Sequence, residues 1–393
     1  MPSIGPFALS RREWFALTTK LGLGGTLVAG APAGTWAQTL AGKDPRLTRL
    51  SVRPPDYETP VALLDALLTP LDAFYVRCHM PMPPAADPAA WRLGIEDEVG
   101  APATLSLADL RQLPETSLTV TLECAGNGRA FFDPPVPGIQ WRKGAVGNAK
   151  WTGVRVADLL RRVNARPTAT HLWVSGADRP MGTQPPFVRQ VPMAKAAHPD
   201  TIVAWAMNDQ PIPHAHGGPL RLIVPGWEGA YAIKWLTSIR VAAAEHDGFW
   251  VATGYRYPTR RVVPGAAVDA RDMAPLTGMS VKSLITRPLD GAVVAPGPVT
   301  VAGFAWAGET DVAQVEVSVD GGATWATARF AGPAVRYSWR RFEHTFEATR
   351  PEAYTILSRA TDARGVVQPV VPQWNPSGYL WNAPDQIRIE VKA

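Results

Sequence analysis

One of the chain's two cysteines lies in the stretch Thr121-Leu122-Glu123-Cys124-Ala125-Gly126-Asn127-Gly128-Arg129. The residues before it, Ser117 to Leu122, predict a buried strand, so Cys124 would lie where the strand ends in a glycine-bearing turn. A cysteine at such a turn can face a cofactor, and a nearby arginine favours the thiolate that binds soft metals. The stretch therefore predicts a metal-ligating Cys124, against the alternative of a small buried apolar residue.

This stretch resembles the cysteine motif of the sulfite oxidase family, and further motifs of that family follow in order from about residue 50 onward. They are Phe74 to His79, which resembles an R-N-H element, then Trp151 to Val154, Met207 to Pro213, His216 to Gly226 and Ile233 to Leu236. Several ordered motifs are far more specific than one cysteine. The resemblance implies an oxidoreductase whose molybdenum is held by a pterin dithiolene and by the Cys124 thiolate.

The same resemblance assigns residues to a substrate pocket. Arg77 and Arg129 would bind sulfite, since a buried dianion needs cationic, fork-shaped donors; a lone arginine is otherwise a surface ion pair. Trp141 would wall the pocket, although a core role is an equal alternative in a chain with 15 tryptophans. Tyr255 would hydrogen-bond the reacting oxygen and relay a proton, with Tyr257 as the nearby alternative.

The cofactor contacts implied by the resemblance are made by His79, His216, Arg221, Lys234 and, more weakly, Asp178. These side chains would supply donors for the pterin ring and cations for its phosphate. A lone histidine is otherwise a hydrogen-bonded structural residue, and the histidines are not expected to hold a separate metal.

Three residues depart from the family pattern. Cys78 stands where the R-N-H element usually has asparagine, and Tyr231 stands where vertebrate members have an arginine near the pterin phosphate. Ser377 stands where vertebrate members have a further arginine in the anion pocket. Losing that contact should cost about 1.5 to 3 kcal/mol of anion binding and raise KM, which weakens sulfite as the substrate.

The pattern of elements predicts an α+β fold followed by an all-β immunoglobulin-like sandwich. Up to about Pro275, helices are predicted at Pro60 to Leu68, Leu107 to Leu113 and Val156 to Val163, and strands at Leu118 to Leu122, His171 to Val174 and Leu220 to Val224. After Met279, strands are predicted at Val299 to Phe304, Val315 to Val319, Ser338 to Phe346, Tyr354 to Thr361 and Gln386 to Val391. The predicted domains are a molybdopterin-binding domain at 38–275 and an immunoglobulin-like dimerisation domain at 276–393.

The N-terminus predicts an export signal at 1–37. Arg11 and Arg12 precede a weakly apolar stretch that ends at Thr35-Trp36-Ala37, the pattern of a twin-arginine leader. We therefore expect a periplasmic protein that is exported folded, with no membrane span after the signal is removed. In that compartment Cys78 and Cys124 could form a disulfide if they lay close together, but oxidation would remove the metal ligand.

Composition fits a globular enzyme with two domains. Of the 393 residues 46% are hydrophobic, and the net charge of +5 comes without a basic run interleaved with aromatic residues, so no nucleic-acid partner is expected. The chain has no C-x-x-C-H, so we expect no haem in it and a separate cytochrome c as electron acceptor, in a homodimer or a heteromer.

The resulting hypothesis is a periplasmic molybdenum enzyme that oxidises sulfite to sulfate by oxygen-atom transfer. Two alternatives stay open: an enzyme of the same fold that acts on sulfane sulfur or a sulfoxide, and a non-catalytic scaffold or binding subunit.

Overall fold

The computed structural model of the protein describes residues 40–392, so the predicted signal lies outside the described residues. In this part of the chain the helices are short and most regular structure is β-strand. No helix in residues 40–392 is both long and apolar enough to cross a membrane. The predicted fold class, a mixed α+β N-terminal part followed by a β-sandwich, is confirmed.

The N-terminal part is built on two five-stranded sheets. One has the order β10-β9-β6-β5 with β11 also paired to β9, and the other has the order β4-β3-β12-β7-β8. Its strands are β1 (Thr48–Val52), β2 (Pro55–Glu58), β3 (Arg92–Asp97), β4 (Ala103–Ser106), β5 (Glu115–Glu123), β6 (Val146–Arg155), β7 (His171–Gly176), β8 (Val188–Pro192), β9 (Ile202–Met207), β10 (Gln210–Pro211), β11 (Arg221–Ile223), β12 (Leu236–Ala242), β13 (Arg256–Pro258) and β14 (Met273–Pro275). Only the β3–β12 pair in these two sheets is parallel, as expected where helical crossovers are scarce.

The C-terminal part is a sandwich of two sheets, with the orders β15-β17-β21-β20 and β16-β23-β22-β18-β19. Its strands are β15 (Lys282–Arg287), β16 (Val293–Val294), β17 (Gly297–Trp306), β18 (Val312–Ser318), β19 (Ala326–Thr327), β20 (Arg329–Ala331), β21 (Arg340–Ala348), β22 (Ala353–Asp362) and β23 (Asp385–Val391). Along β22 and β23 buried and exposed side chains alternate, so one face of the sheet forms the core. The strands predicted from this alternation are present with bounds shifted by a few residues.

The helices are shorter than predicted. The described residues contain α1 (Leu107–Leu110), α2 (Val156–Arg162), α3 (Met193–Ala196) and α4 (Phe249–Ala252). The helix predicted at Pro60 to Leu68 is wrong, because only Val61–Leu63 forms a single 3₁₀ turn. After that turn, the Asn148 backbone carbonyl in β6 accepts from the Thr69 N–H, and the Asn148 side-chain amide donates to the Leu67 carbonyl. These hydrogen bonds satisfy backbone groups that a helix would otherwise pair.

A buried ion pair joins the two parts directly behind the cysteine turn. Lys282, the first residue of β15, places its Nζ 2.6 Å from Oε1 of Glu123, the last residue of β5. Trp306 of β17 donates its indole N–H to Oε2 of Glu123 at 2.9 Å, and Asn127 donates to Oε1 at 2.9 Å. The Glu123 carboxylate is therefore satisfied by three donors, two of which come from the sandwich.

Replacing Lys282 with methionine should strongly destabilise the protein. The substitution leaves the Glu123 carboxylate buried without its cation, which typically costs about 3 to 5 kcal/mol. Urea denaturation of the wild-type and variant proteins would measure the loss. Lys150→Met is the control, since Lys150 pairs with the exposed Asp209 and such a pair contributes about 0 to 1 kcal/mol. Equal stability losses in the two variants would contradict the role assigned to Lys282.

Candidate active site

Cys124 follows the end of β5 and begins a tight turn. The Cys124 N–H donates to Ala145, and the Cys124 carbonyl accepts from the Asn127 N–H at 2.7 Å. Gly128 then has a φ of +95°, a left-handed conformation that glycine adopts without strain. The side chain of Trp381 packs against the place where a Cβ of Gly128 would stand. Only glycine therefore fits this turn, which carries Arg129 into the site.

The turn opens onto a cavity that contains about 670 Å³ of space free of protein atoms, including its mouth. Of the ten predicted site residues, the eight that line it are Arg77, His79, Cys124, Asp178, His216, Arg221, Lys234 and Tyr255. They come from distant parts of the chain, and the fold brings them to one place. Arg129 and Trp141 are the two that do not line it.

Cys124 faces this cavity with 9% of its surface exposed. Burial raises the pKa of its thiol, and the positive charges of Arg77 and Arg129 oppose that rise. Cys124 and Cys78 are both free and buried, and no disulfide joins them. Instead, Lys234 donates to the Cys78 sulfur at 3.0 Å.

Arg129 lies beside Cys124 in a cradle of three glycines. A Cβ added to Gly126, Gly138 or Gly378 would come within 2.5 to 2.9 Å of its side chain. Its guanidinium donates to the Ile139 carbonyl at 2.9 Å and to the Ser377 carbonyl at 3.4 Å, and Nε has no partner among the described residues. No carboxylate pairs with Arg129 in residues 40–392, so its charge is available to an anion.

Ser377, the residue that replaces an expected arginine, is in contact with Arg129. Its hydroxyl turns away and donates to the Arg256 carbonyl at 3.1 Å. The position therefore lies against Arg129 and adds no charge there, and its place in an anion pocket stays a prediction.

Arg77 lines the cavity, and its charge is partly neutralised. Its Nη1 lies 3.2 Å from Oδ1 of Asp56, which is fully buried and also accepts the Cys78 N–H at 3.1 Å. The sequence analysis missed Asp56, which lies in β2 outside every motif that matched.

Tyr255 and His79 form a hydrogen-bonded pair on the cavity wall. The Tyr255 hydroxyl contacts Nε2 of His79, and the Tyr255 ring stacks on Tyr379 with centroids 5.4 Å apart. Burial lowers the pKa of His79 well below its usual value, and Arg77 adds to the effect, so the imidazole is neutral. Tyr255 has a φ of +53°, a strained conformation for a residue with a side chain, as is common at functional sites.

Tyr257 and Trp141 lie off the cavity. Tyr257 is in β13 and is absent from the cavity wall, which favours Tyr255 between the two predicted tyrosines. Trp141 is fully buried in the apolar cluster that contains Cys124, with its ring 6.2 Å from that of Tyr75. It packs behind the cysteine, and its role as a pocket wall stays a prediction.

A cluster of basic side chains surrounds the backbone of Ala215 and His216. Arg221 donates to the His216 carbonyl at 2.9 Å, and Lys234 donates to the Ala215 carbonyl at 3.1 Å. Lys43 approaches Nε2 of His216 to 2.9 Å. None of the three cations has a carboxylate partner within ion-pair distance in residues 40–392, and burial lowers the pKa of Arg221 to about 10 and of Lys43 to about 7.

This basic cluster fits a bound anion, because its desolvated cations are uncompensated. Asp178 lies on the same cavity near Lys234, and burial raises the pKa of its carboxyl group. The described residues contain no group of three or more His, Cys, Asp or Glu side chains that could hold a metal ion. Cys124 faces the same cavity, and its role as the protein ligand of a metal stays a prediction.

Tyr231, the residue that replaces a second expected arginine, is covered by another arginine. The guanidinium carbon of Arg189 lies 4.3 Å from the centroid of the Tyr231 ring. Neither Arg189 nor Lys43 was singled out from the sequence. Both lie outside the matched motifs, and only the tertiary structure brings them to the site.

Comparison with known proteins agrees with this geometry. Residues 79–250 match the model of the oxidoreductase molybdopterin binding domain, and residues 274–392 match that of the Mo-co oxidoreductase dimerisation domain. Mouse mitochondrial sulfite oxidase is 36% identical over 89% of this chain, which spans 66% of the mouse protein. Chicken sulfite oxidase is 35% identical over 90% of this chain and 81% of its own length.

The fold is also that of a solved structure, the sulfane dehydrogenase SoxCD from Paracoccus pantotrophus. That structure aligns with a TM-score of 0.75 and 27% identity, over 86% of this chain and 84% of the other. The chain belongs to the sulfite oxidase family of molybdopterin-binding oxidoreductases.

Proposed function

We propose that the protein oxidises sulfite to sulfate and passes the electrons to a separate cytochrome c. Sulfite and water give sulfate, two protons and two electrons, so two molecules of a one-electron acceptor are reduced in each turnover. When bound, the molybdenum cofactor supplies the redox change and the oxygen-atom transfer. The observation that carries the proposal is the unpaired guanidinium of Arg129 beside Cys124.

The residues of the site divide this work. Cys124 would ligate the molybdenum, while Arg221, Lys234, His216 and Lys43 would hold the anionic end of the cofactor. Arg129 would bind a sulfite oxygen and orient its sulfur, since a guanidinium fork matches an oxyanion.

The Tyr255 and His79 pair would transfer the proton during turnover. The Tyr255 hydroxyl can donate to a reacting oxygen, while Nε2 of neutral His79 can accept the phenol proton. Phe187 stacks on His79 with ring centroids 3.8 Å apart and shields this pair from water.

A second candidate substrate is sulfane sulfur. Asp56 offsets the charge of Arg77, and Ser377 leaves Arg129 without a second guanidinium beside it. A substrate with less negative charge would tolerate this pocket better than a dianion. The structural likeness to a sulfane dehydrogenase supports the same alternative.

We further propose periplasmic location through the twin-arginine pathway, supported by Arg11 and Arg12, and assembly as a homodimer or with a cytochrome subunit. The C-terminal match to a dimerisation domain supports a dimer.

Replacing Cys124 with serine should abolish sulfite-dependent reduction of cytochrome c. Loss of the thiolate ligand should lower activity by more than the about 10- to 100-fold that loss of an outer-shell partner typically costs. Molybdenum content and turnover are measured on exported wild-type and variant proteins. If the wild-type protein contains stoichiometric molybdenum but does not oxidise sulfite, sulfane sulfur becomes the proposed substrate. Wild-type protein without molybdenum would contradict the proposal that the protein is a molybdenum enzyme.

Replacing Gly138 with alanine should displace Arg129 and weaken anion binding. The new Cβ would lie 2.9 Å from Nη1 of Arg129. We expect KM for sulfite to rise about tenfold, which is about 1.4 kcal/mol, with molybdenum content unchanged. Gly332→Ala is the control, because Gly332 also has a positive φ, of +85°, but no atom near its Cβ position. An equal change of KM in both variants would contradict the positioning of Arg129 by the glycine cradle.

Replacing Lys43 with methionine should flatten the pH dependence of stability in the cofactor-free protein. The pKa of Lys43 is about 7 in the folded protein against 10.5 ordinarily. Between pH 7 and pH 10.5 Lys43 binds a proton more fully in the unfolded chain than in the folded protein, so the free energy of unfolding rises with pH. The destabilisation caused by burying Lys43 is therefore complete below pH 7 and fades as pH rises. Urea denaturation from pH 7 to 10 should show a smaller rise in stability for Lys43→Met than for the wild type, and the Lys150→Met control should keep the wild-type slope. Identical slopes in all three proteins would contradict the burial of a charged Lys43.

A further inference from the structure

Arg189 is a buried cation to which no role in the reaction has been given. It lies in β8 with 2% of its surface exposed, and its Nη1 donates to the Trp250 carbonyl. Nε has no hydrogen-bond partner, and no carboxylate forms an ion pair with Arg189 in the described part of the chain. Burying an unpaired charge is costly, so its retention calls for a compensating interaction.

Part of the compensation comes from two phenol rings. The guanidinium carbon lies 4.3 Å from the ring centroid of Tyr231 and 4.8 Å from that of Tyr255. Each ring face is electron-rich and attracts a cation, more strongly where water is absent. Arg189 therefore stacks against the phenol that contacts His79 on the cavity wall.

The same side chain fixes the segment that carries Tyr255. Trp250, whose carbonyl accepts from Arg189, belongs to α4, and Tyr255 follows three residues after that helix ends. Tyr255 also has the left-handed φ of +53°, which surrounding contacts must maintain. A cation that stacks on the ring and bonds to the preceding helix can supply this constraint.

The charge of Arg189 also matters for the cavity. The charge of Arg77 is offset by Asp56, so Arg77 adds little net positive charge to the cavity wall. A further unpaired charge behind Tyr255 acts through a low-dielectric region, where electrostatic effects are strong.

We propose that Arg189 is a positioning residue for Tyr255 and that its uncompensated charge favours an anionic substrate in the cavity. The identity of that anion as a sulfur oxyanion rests on the proposed function. The competing explanation is a purely structural arginine that joins β8 to α4.

Three variants separate the two explanations. Arg189→Lys keeps the charge, whereas Arg189→Met and Arg189→Gln remove it, and glutamine keeps a donor for the Trp250 carbonyl. In molybdenum-loaded protein we expect both neutral variants to raise KM for sulfite about tenfold and Arg189→Lys to restore most of the affinity. If Arg189 were purely structural, the variants would lose stability, and KM for sulfite would not separate the neutral variants from Arg189→Lys.

A binding measurement keeps the test independent of turnover. Sulfate should raise the Tm of molybdenum-loaded protein, and about tenfold more sulfate should be needed for the same rise in the neutral variants. Arg340→Met is the matched control, since the Arg340 guanidinium lies 3.5 Å from the ring centroid of Phe330 in the sandwich and its Nε also lacks a partner. This control should leave the sulfate dependence unchanged.

The outcomes are distinct. If the wild type does not oxidise sulfite but the neutral variants still lose sulfate affinity, the proposed function fails and the role of Arg189 stands. Unchanged sulfate affinity in the neutral variants, or equal impairment in Arg189→Lys and Arg189→Met, would overturn the inference. Failure of both neutral variants to fold would show that Arg189 is structural and would overturn it too.

Discussion

The site depends on the buried contact between Glu123 and Lys282. The carboxylate belongs to the residue before Cys124, and the ammonium group belongs to the sandwich. Trp306 adds a second donor from the same domain. Because a buried carboxylate needs all its partners, the cysteine turn takes its shape only when the sandwich is packed against it. The C-terminal domain is therefore a structural part of the site as well as a domain of the dimerisation type.

Positive charge dominates the cavity, and its distribution is uneven. At the end near His216, Arg221, Lys234 and Lys43 are desolvated without carboxylate partners within ion-pair distance in residues 40–392, an arrangement that fits an anionic cofactor. Near Cys124, Arg77 lies on the cavity wall and is held by Asp56, whereas Arg129 does not line the cavity and has no carboxylate partner among the described residues.

The fold class was predictable from the sequence, and eight of the ten predicted site residues line one cavity, among them Cys124 and Arg77 from two separate motifs. Their roles stay predictions. It did not reveal Asp56, Lys43 or Arg189. Each of these lies outside the motifs, and its role follows from a tertiary contact with no local signal. The helix predicted at Pro60 to Leu68 failed for a related reason, since Asn148, a distant residue, satisfies the polar groups after its first turn.

The end of the chain also reaches the cysteine turn. The Leu380 N–H donates to the Ala125 carbonyl at 3.0 Å, and the Trp381 side chain packs against Gly128. A ribosome makes Cys124 more than 250 residues before these partners, so the turn that carries Cys124 is still incomplete while most of the protein is being synthesised. The turn is therefore completed only after translation, and a protein truncated before Leu380 would keep the eight cavity-lining residues that were predicted yet lack the finished turn.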